Sequence, residues 1–183
     1  VEGGVAKLKE IRILGAKAFS ESTLVDLMEL SVGGWLTLYT KTDRYARPKL
    51  NADLEKIRSH YLNRGYLEFD VKSTQVTISP DKQEISINIT IDEGQPYVVA
   101  GVRLEGEYLG REEDFRRRVL IKPGEAYRGD DVTATVRLFN DLYGTYGYAF
   151  ARIDARPEVD RKTGQVMVVL QGNPAQRVNV RRI

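Results

Sequence analysis

One phrase occurs twice in this chain. "YLNRGYLEF" (Tyr61 to Phe69) returns as "YGTYGYAFA" (Tyr143 to Ala151), each with a Gly four residues after the first Tyr and a second Tyr directly behind it. The openings repeat too: Ile11, Ile13 and Gly15 of "IRILGAKAF" match Val102, Leu104 and Gly106 of "VAGVRLEG". A third opening is read in "RVNVRRI", where Ile183 falls on Val102. A period of about 80–90 residues exceeds that of the common solenoid repeats and suits an array of small whole domains. The boundaries are expected in "DEGQPY" and "QGNPA", giving units over residues 1–94 and 95–174 and the start of a third over 175–183.

Periodicity assigns the elements within a unit. Leu8 to Leu14 reads as a strand. Ser20 is placed to cap a helix carrying Leu24, Leu27, Met28 and Leu30 on one stripe. "SVGGWLTLYTKTDRYARP" reads as an aromatic-containing loop. A second helix follows, with Leu50, Leu54, Ile57, Tyr61 and Leu62 on one face and Asp53, Glu55, Lys56 and Arg58 expected in water. Gly65 and Gly147 then fall just past the last helical turn, where a left-handed cap favours Gly. The repeated phrase is thus a helix end leading into a strand, and nothing nucleophilic or acid–base recurs in it. "ISINITI" alternates cleanly after the turn "SPDKQE". The second unit follows suit. Phe115, Val119 and Leu120 are expected on its first helix; Val132, Val136, Phe139 and Leu142 or Tyr143 are expected on its second. "DRKTG" is its hairpin turn.

The fold class is therefore α+β. Each unit is a β-α-α-β-β array with a three-stranded mixed sheet covered on one face by two helices. If the unit's third strand is central, its second strand is an open edge.

The parity of that second strand is informative. Leu67, Phe69 and Val71 are odd-numbered, whereas Val76 and Ile78 are even. Side chains alternate strictly along a strand, so an extra residue around Lys72 to Gln75 is required if all five face the core. Without it, Val76 and Ile78 face solvent. Only Lys72 carries charge between Val71 and Ser79, so the edge lacks the usual protection against strand addition.

Composition excludes several classes. The 183 residues are 42% hydrophobic and 30% charged, with a net charge of +2 and no cysteine. Disulfide and thiolate chemistry are absent, and no apolar run reaches the roughly 18–20 residues that span a bilayer as a helix. The charge balance argues against a nucleic-acid partner. A KH-like RNA-binding module is the alternative of a different class; it requires a GxxG clamp, and "VGGW" has adjacent glycines instead. "REEDFRRRV" reads as a solvated helix face. "GREEDFR" is not a phosphate loop, and neither GxxxxGK[ST] nor GxGxxG occurs. His60, the only histidine, has no ligand cluster around it in sequence. Trp35, Leu36, Leu38 and Tyr39 are expected to pack locally or to touch a partner or lipid surface. No catalytic, cofactor-binding or metal-binding residue is assigned. The chain opens on Val1 with no signal-peptide pattern, and it reads as a piece of something longer.

The element order and the phrases "IRILGAKAF", "RSHYLNRGYLEFDV" and "TISPDKQEISINITIDEG" resemble POTRA domains over essentially the whole chain. The resemblance is narrower to the third and fourth units, with the start of the fifth, of the array in the β-barrel assembly machine of Gram-negative bacteria. POTRA arrays of other transporters of the same superfamily are the alternative. The resemblance implies a periplasmic, non-enzymatic scaffold of an outer-membrane protein, touching the membrane only through a C-terminal barrel outside this sequence. It implies a BamB-like lipoprotein at the first unit and other assembly-machine lipoproteins through the full array. Unfolded outer-membrane β-barrel proteins would be its clients, guided by β-augmentation. Carried across residue by residue, the contacts fall on Met28, Leu30, Ser31, Val76, Ile78 and Ser86. The edge read above adds Lys72, Ser73, Thr74, Gln75 and Thr77. Ser31 departs from the Arg expected there in the family.

Overall fold

A computed structural model describes residues 4–38 and 46–175. The chain divides into two compact units, Val1–Leu62 with Tyr66–Gly94, and Asn63–Gly65 with Gln95–Ile183.

The first unit runs β1 (Gly4–Leu14), α1 (Glu21–Asp26), β2 (Trp35–Leu38), α2 (Ala46–Leu62), β3 (Asp70–Ile78) and β4 (Glu84–Asp92). Its sheet has the order β2-β1-β4-β3. β1 and β4 are parallel, and β3 and β4 form an antiparallel hairpin. The expected three-stranded mixed sheet is present with β4 central, and it gains a short fourth strand. That strand corrects the loop reading: Trp35 to Leu38 pair antiparallel with Gly4 to Lys7. Tyr39 and the side chains of Leu36 and Leu38 lie outside the described residues.

The core follows from alternation. Ile85, Ile87, Ile89 and Ile91 on β4 are all buried, and they meet Leu8, Ile11 and Ile13 of β1 and Leu24, Leu50, Ile57 and Tyr61 from the helices. Each such side chain contributes roughly 1.5–3 kcal/mol by leaving water. β1 switches parity between Leu8 and Ile11, and its ladder shifts register between Leu8 and Glu10.

The helices differ from expectation in two ways. α1 spans only six residues, capped as expected by the Ser20 hydroxyl accepting from the Thr23 amide at 3.1 Å. Leu27, Met28 and Leu30 follow it in a turn yet still reach the core. Asp53 does not face water: it is 1% exposed, and its carboxylate accepts from the Glu29 and Leu30 amides at 2.8 and 3.0 Å. These amides lie past the end of α1, so an α2 side chain holds that turn against the core.

The second unit runs β5 (Val98–Gly106), α3 (Glu112–Arg116), α4 (Gly129–Thr145), β6 (Arg152–Asp160) and β7 (Gln165–Asn173), with sheet order β5-β7-β6. Phe115, Val132, Phe139, Leu142 and Tyr143 pack with Val166, Val168 and Leu170 in its core. α3 is five residues long. The expected helical positions of Val119 and Leu120 are therefore corrected: the chain has left the helix before both, Leu120 is 43% exposed, and Ile121 is buried instead. Asp160 and Gly164 close the β6–β7 turn through the Gly164 amide at 2.9 Å.

The repeated phrase ends both long helices alike. Gly65 and Gly147 have φ of +94° and +91°. The Tyr66 amide donates back to the Tyr61 carbonyl at 3.0 Å, and that of Tyr148 to Tyr143 at 2.9 Å. This is the six-to-one bond of a glycine-terminated helix. Gly15 and Gly106 also share a role: a Cβ there would sit 2.2 Å from the Ile91 and Gly172 carbonyl oxygens respectively.

Candidate docking edge

The β-bulge that parity requires is present. In the β3–β4 ladder Val71 faces Ile91 and Ser73 faces Thr90, so Lys72 is the extra residue. Beyond it Val76 pairs with Ile87 and Ile78 with Ile85. Residues directly opposite in an antiparallel pair point to the same side. Val76 and Ile78 therefore share the face of two isoleucines that are 2% and 1% exposed, yet they are themselves 48% and 43% exposed. The apolar row of the core runs out to the edge and stops in solvent. On the other face Gln75 pairs with Asn88 and Thr77 with Ser86, giving a wholly polar row.

Among the described residues β3 has a ladder partner only on its β4 side, which leaves its outer main-chain groups open. Lys72 is the single charge between Val71 and Ser79, and its ammonium pairs with Asp70 at 3.1 Å. The hydrogen bond that the ammonium donates to that carboxylate, together with the carboxylate's charge, raises the Lys72 pKa above the ordinary lysine value. At the far end the edge is closed by a tight turn: Ser79 Oγ bonds the Asp81 carboxylate and accepts from the Glu84 amide at 3.0 Å. The open window is thus Ser73 to Ile78.

The second unit's corresponding edge is defended. β6 carries Arg152, Asp154, Arg156, Glu158 and Asp160, and Pro157 removes a main-chain donor. Arg103 forks onto Glu158 at 2.9 and 3.0 Å, and Arg156 reaches Glu105 at 2.9 Å. Charge and proline on an edge block strand addition. Pro157 is a signal that the sequence carries openly.

The structure splits the residues carried across from the family. Met28 and Leu30 are 8% and 6% exposed and belong to the first unit's core. Ser31 is exposed and lines a shallow cavity with Leu8, Glu29, Leu30, Gly34, Trp35 and Lys49. That cavity touches β1 and β2, whereas β3 is at the opposite edge of the sheet. Ser86 is half-buried on central β4. Of the sites named, Lys72 to Ile78 lie together along one strand, all exposed except half-buried Thr74.

Other features resolve locally. Trp35 is 69% exposed on β2. Arg111 lies over the Tyr146 ring at 4.6 Å, and the Tyr146 hydroxyl donates to Asp114 at 3.0 Å, which ties part of "REEDFRRRV" to the end of α4. The Phe19 ring meets His60 edge-on at 4.6 Å. Among the described residues no group of three or more His, Asp or Glu side chains is placed to hold a metal, and no helix is long and apolar enough to cross a membrane.

Comparison with known proteins bears on this geometry. The outer membrane protein assembly factor BamA of Neisseria meningitidis serogroup B is 29% identical over the whole chain, which spans 23% of that protein. BamA of Buchnera aphidicola is 28% identical over the whole chain, which spans 30% of it. The crystal structure of Haemophilus influenzae BamA POTRA3-5 superposes with a TM-score of 0.91 at 24% identity, over 98% of this chain and 70% of that one. BamA of Haemophilus ducreyi lacking POTRA domains 1–3 gives 0.66 at 20% identity, over 91% and 29%. The model of the POTRA family, described as a surface antigen variable number repeat, matches residues 6–94 and 97–171. With that match across nearly all of both units, the chain belongs to the POTRA family.

Proposed function

We propose that this chain is part of a periplasmic scaffold for the assembly of outer-membrane β-barrel proteins. Residues 1–94 and 95–174 serve as successive POTRA units, and residues 175–183 begin a third. The scaffold works by holding other chains. The first unit docks an accessory lipoprotein of the BamB kind and guides unfolded clients by main-chain pairing to β3, while further lipoproteins bind through the rest of the array. The observation that carries this reading is the open edge from Ser73 to Ile78, uncharged and ending a buried apolar row in solvent. The similarity to BamA proteins over the whole chain supports the assembly role.

Main-chain pairing needs little sequence identity between clients, which suits a scaffold serving many barrels. The docking surface is restricted here to Lys72–Ile78 with half-buried Ser86 on the neighbouring strand, because Met28 and Leu30 have almost no surface to offer and Ser31 lies toward the opposite edge of the sheet.

The test is substitution at half-exposed positions. Val76→Asp and Ile78→Asp are expected to keep the far-UV circular dichroism of the parent and to lose lipoprotein capture in a pull-down from the assembled machine. A folded variant that captures as well as the parent would overturn the reading.

A further inference from the structure

We propose that the exposed end of α4 is a seat for residues 176–183 and the unit they open, with Phe150 as its apolar anchor and the Gly147 carbonyl as the acceptor for the Val178 amide. The inference rests on the reading that a third unit begins at residue 175, and it adds where that unit is held and by what. Its basis is a comparison of the two long-helix ends. The glycine end of α2 does not group with the rest of its helix: Asn63–Gly65 cluster with Gln95–Ile183. There the Gly65 carbonyl accepts from the Tyr97 amide at 2.9 Å. Asn63 exchanges two hydrogen bonds of 2.9 Å with Asp130, in the first turn of α4. The α4 N-cap, Arg128, makes no side-chain cap bond, so Asn63 takes that part. The second unit is thus completed by the end of the helix that precedes it.

The end of α4 repeats that backbone. Gly147 matches Gly65 in φ and in its six-to-one bond, and Ala175 matches Gly94. Gly94 has φ +68° and its amide donates to Asp92 Oδ1 at 3.2 Å; Ala175 has φ +57° and its amide donates to Asn173 Oδ1 at 3.1 Å. Asp92 and Asn173 each end their strand. Counting on from there, Val178 stands where Tyr97 stands. Burial differs between the two ends. Gly65 is buried and Glu68 half-buried, whereas Gly147 and Phe150, at the place of Glu68, are exposed, the phenylalanine to 68%. A ring set in water where the preceding repeat is covered marks a contact surface. The chemistry changes in step. The Glu68 Cβ lies 3.1 Å from where a Cβ on Gly94 would sit. Phe150 and Ala175 put a ring and a methyl group in place of that carboxylate side chain and bare glycine. A left-handed alanine is strained unless its surroundings hold it, and apolar burial between the two supplies that hold. The occupant is the next segment of the same chain, because residues 176–183 continue directly from Ala175 and reach the seat without a linker.

The experiment compares this chain with the longer protein that carries the following unit, both free of other cysteines, each bearing Phe150→Cys or Leu120→Cys. Both positions face solvent in this chain, so neither substitution touches the second unit's core. Maleimide labelling at Phe150→Cys is expected to be at least about tenfold slower in the longer protein, with Leu120→Cys labelled at the same rate in both. Cysteine removes the ring, so amide hydrogen exchange over residues 147–151 is read in the unsubstituted proteins and is expected to show the same protection. In the longer protein Phe150→Ser is expected to speed limited proteolysis over residues 174–180 at least about fivefold, with Phe150→Leu within about twofold of the parent. Cleavage of Phe150→Ser no faster than the parent would overturn Phe150 as the anchor. Equal labelling and exchange at the helix end in both proteins, while the following unit exchanges slowly, would overturn the seat and leave the third unit standing. Fast exchange throughout the residues after 175 would overturn the third unit and the seat with it.

Discussion

The Tyr61 hydroxyl, on a side chain with no exposed surface, donates to the Glu93 carboxylate at 2.6 Å. The same carboxylate accepts from the Lys17 amide at 3.0 Å and from the Ala18 amide at 2.9 Å. One acid thus ties the end of α2 to the loop after β1. A charge-assisted buried hydrogen bond contributes roughly 1.5–3 kcal/mol, and removing the acceptor leaves three donors unsatisfied. We expect Tyr61→Phe to destabilise the first unit by about 1–2 kcal/mol and Glu93→Ala by about 2–4 kcal/mol. Urea unfolding followed at the first unit's tryptophan checks the order of the two.

Burial raises the pKa of the Tyr61, Tyr108 and Tyr143 hydroxyls well above the ordinary tyrosine value, with Glu93 adding to the rise at Tyr61. A raised folded-state value means that the native chain holds protons the unfolded chain releases. Their contribution is fully present below the unfolded value near pH ~10 and is lost as pH climbs above it. The melting temperature is expected to be flat from neutrality to about pH 9 and to fall above about pH 10. Tyr61→Phe is expected to start lower and fall less steeply in the first unit.

Asp53 illustrates what helical spacing alone does not tell. Its neighbours Glu55 and Lys56 are exposed, yet Asp53 is buried because two amides past α1 need acceptors. Asp53→Ala is expected to cost about 1–3 kcal/mol, with Asp53→Asn retaining about half, since one acceptor oxygen remains. Thermal unfolding of the two variants measures this.

Glycines with the same left-handed backbone separate two costs. Gly15 (φ +95°) has the Ile91 carbonyl oxygen 2.2 Å from a built Cβ, whereas Gly124 (φ +85°) has nothing within 4 Å. Gly124→Ala is expected to cost about 1–2 kcal/mol from backbone strain alone. Gly15→Ala adds a clash with main chain and is expected to cost at least about 3 kcal/mol, or to prevent folding of the first unit. Expression yield and melting temperature distinguish them.

Lys72 is the bulged residue, so its deletion restores regular alternation through β3 without moving Val76 or Ile78 to the other face. The deletion is expected to lengthen the open edge and to promote self-association at concentrations where the parent is monomeric. Sedimentation velocity across a concentration series reads this.

Much of the fold was legible because the sequence states it twice. The glycine helix ends and the isoleucine alternation of β4 each rest on a strong local pattern. The same parity reasoning that placed the bulge in β3 applies to β1, where Leu8 is even and Ile11 and Ile13 are odd, and to β5, whose ladder shifts between Val99 and Gly101. The short α1 and α3 were overread because apolar residues after a helix continue its spacing while the backbone has already turned. β2 was missed because Trp35 to Leu38 form a four-residue strand whose pairing depends on β1, a contact distant in sequence. Asp53 and the burial of Met28 and Leu30 are likewise matters of tertiary packing. The open edge was readable in Val76 and Ile78, but its two-sided character required knowing which β4 residues they face.

The most direct measurement is NMR chemical-shift mapping of the isotopically labelled chain, titrated first with a peptide from an outer-membrane β-strand and then with the accessory lipoprotein. Pairing at the edge predicts the largest amide shifts at Ser73 to Ile78, with smaller ones at Ile85 to Ile89 across the ladder. Shifts confined to the second unit, or none with either ligand, would contradict it and leave these two units as spacers.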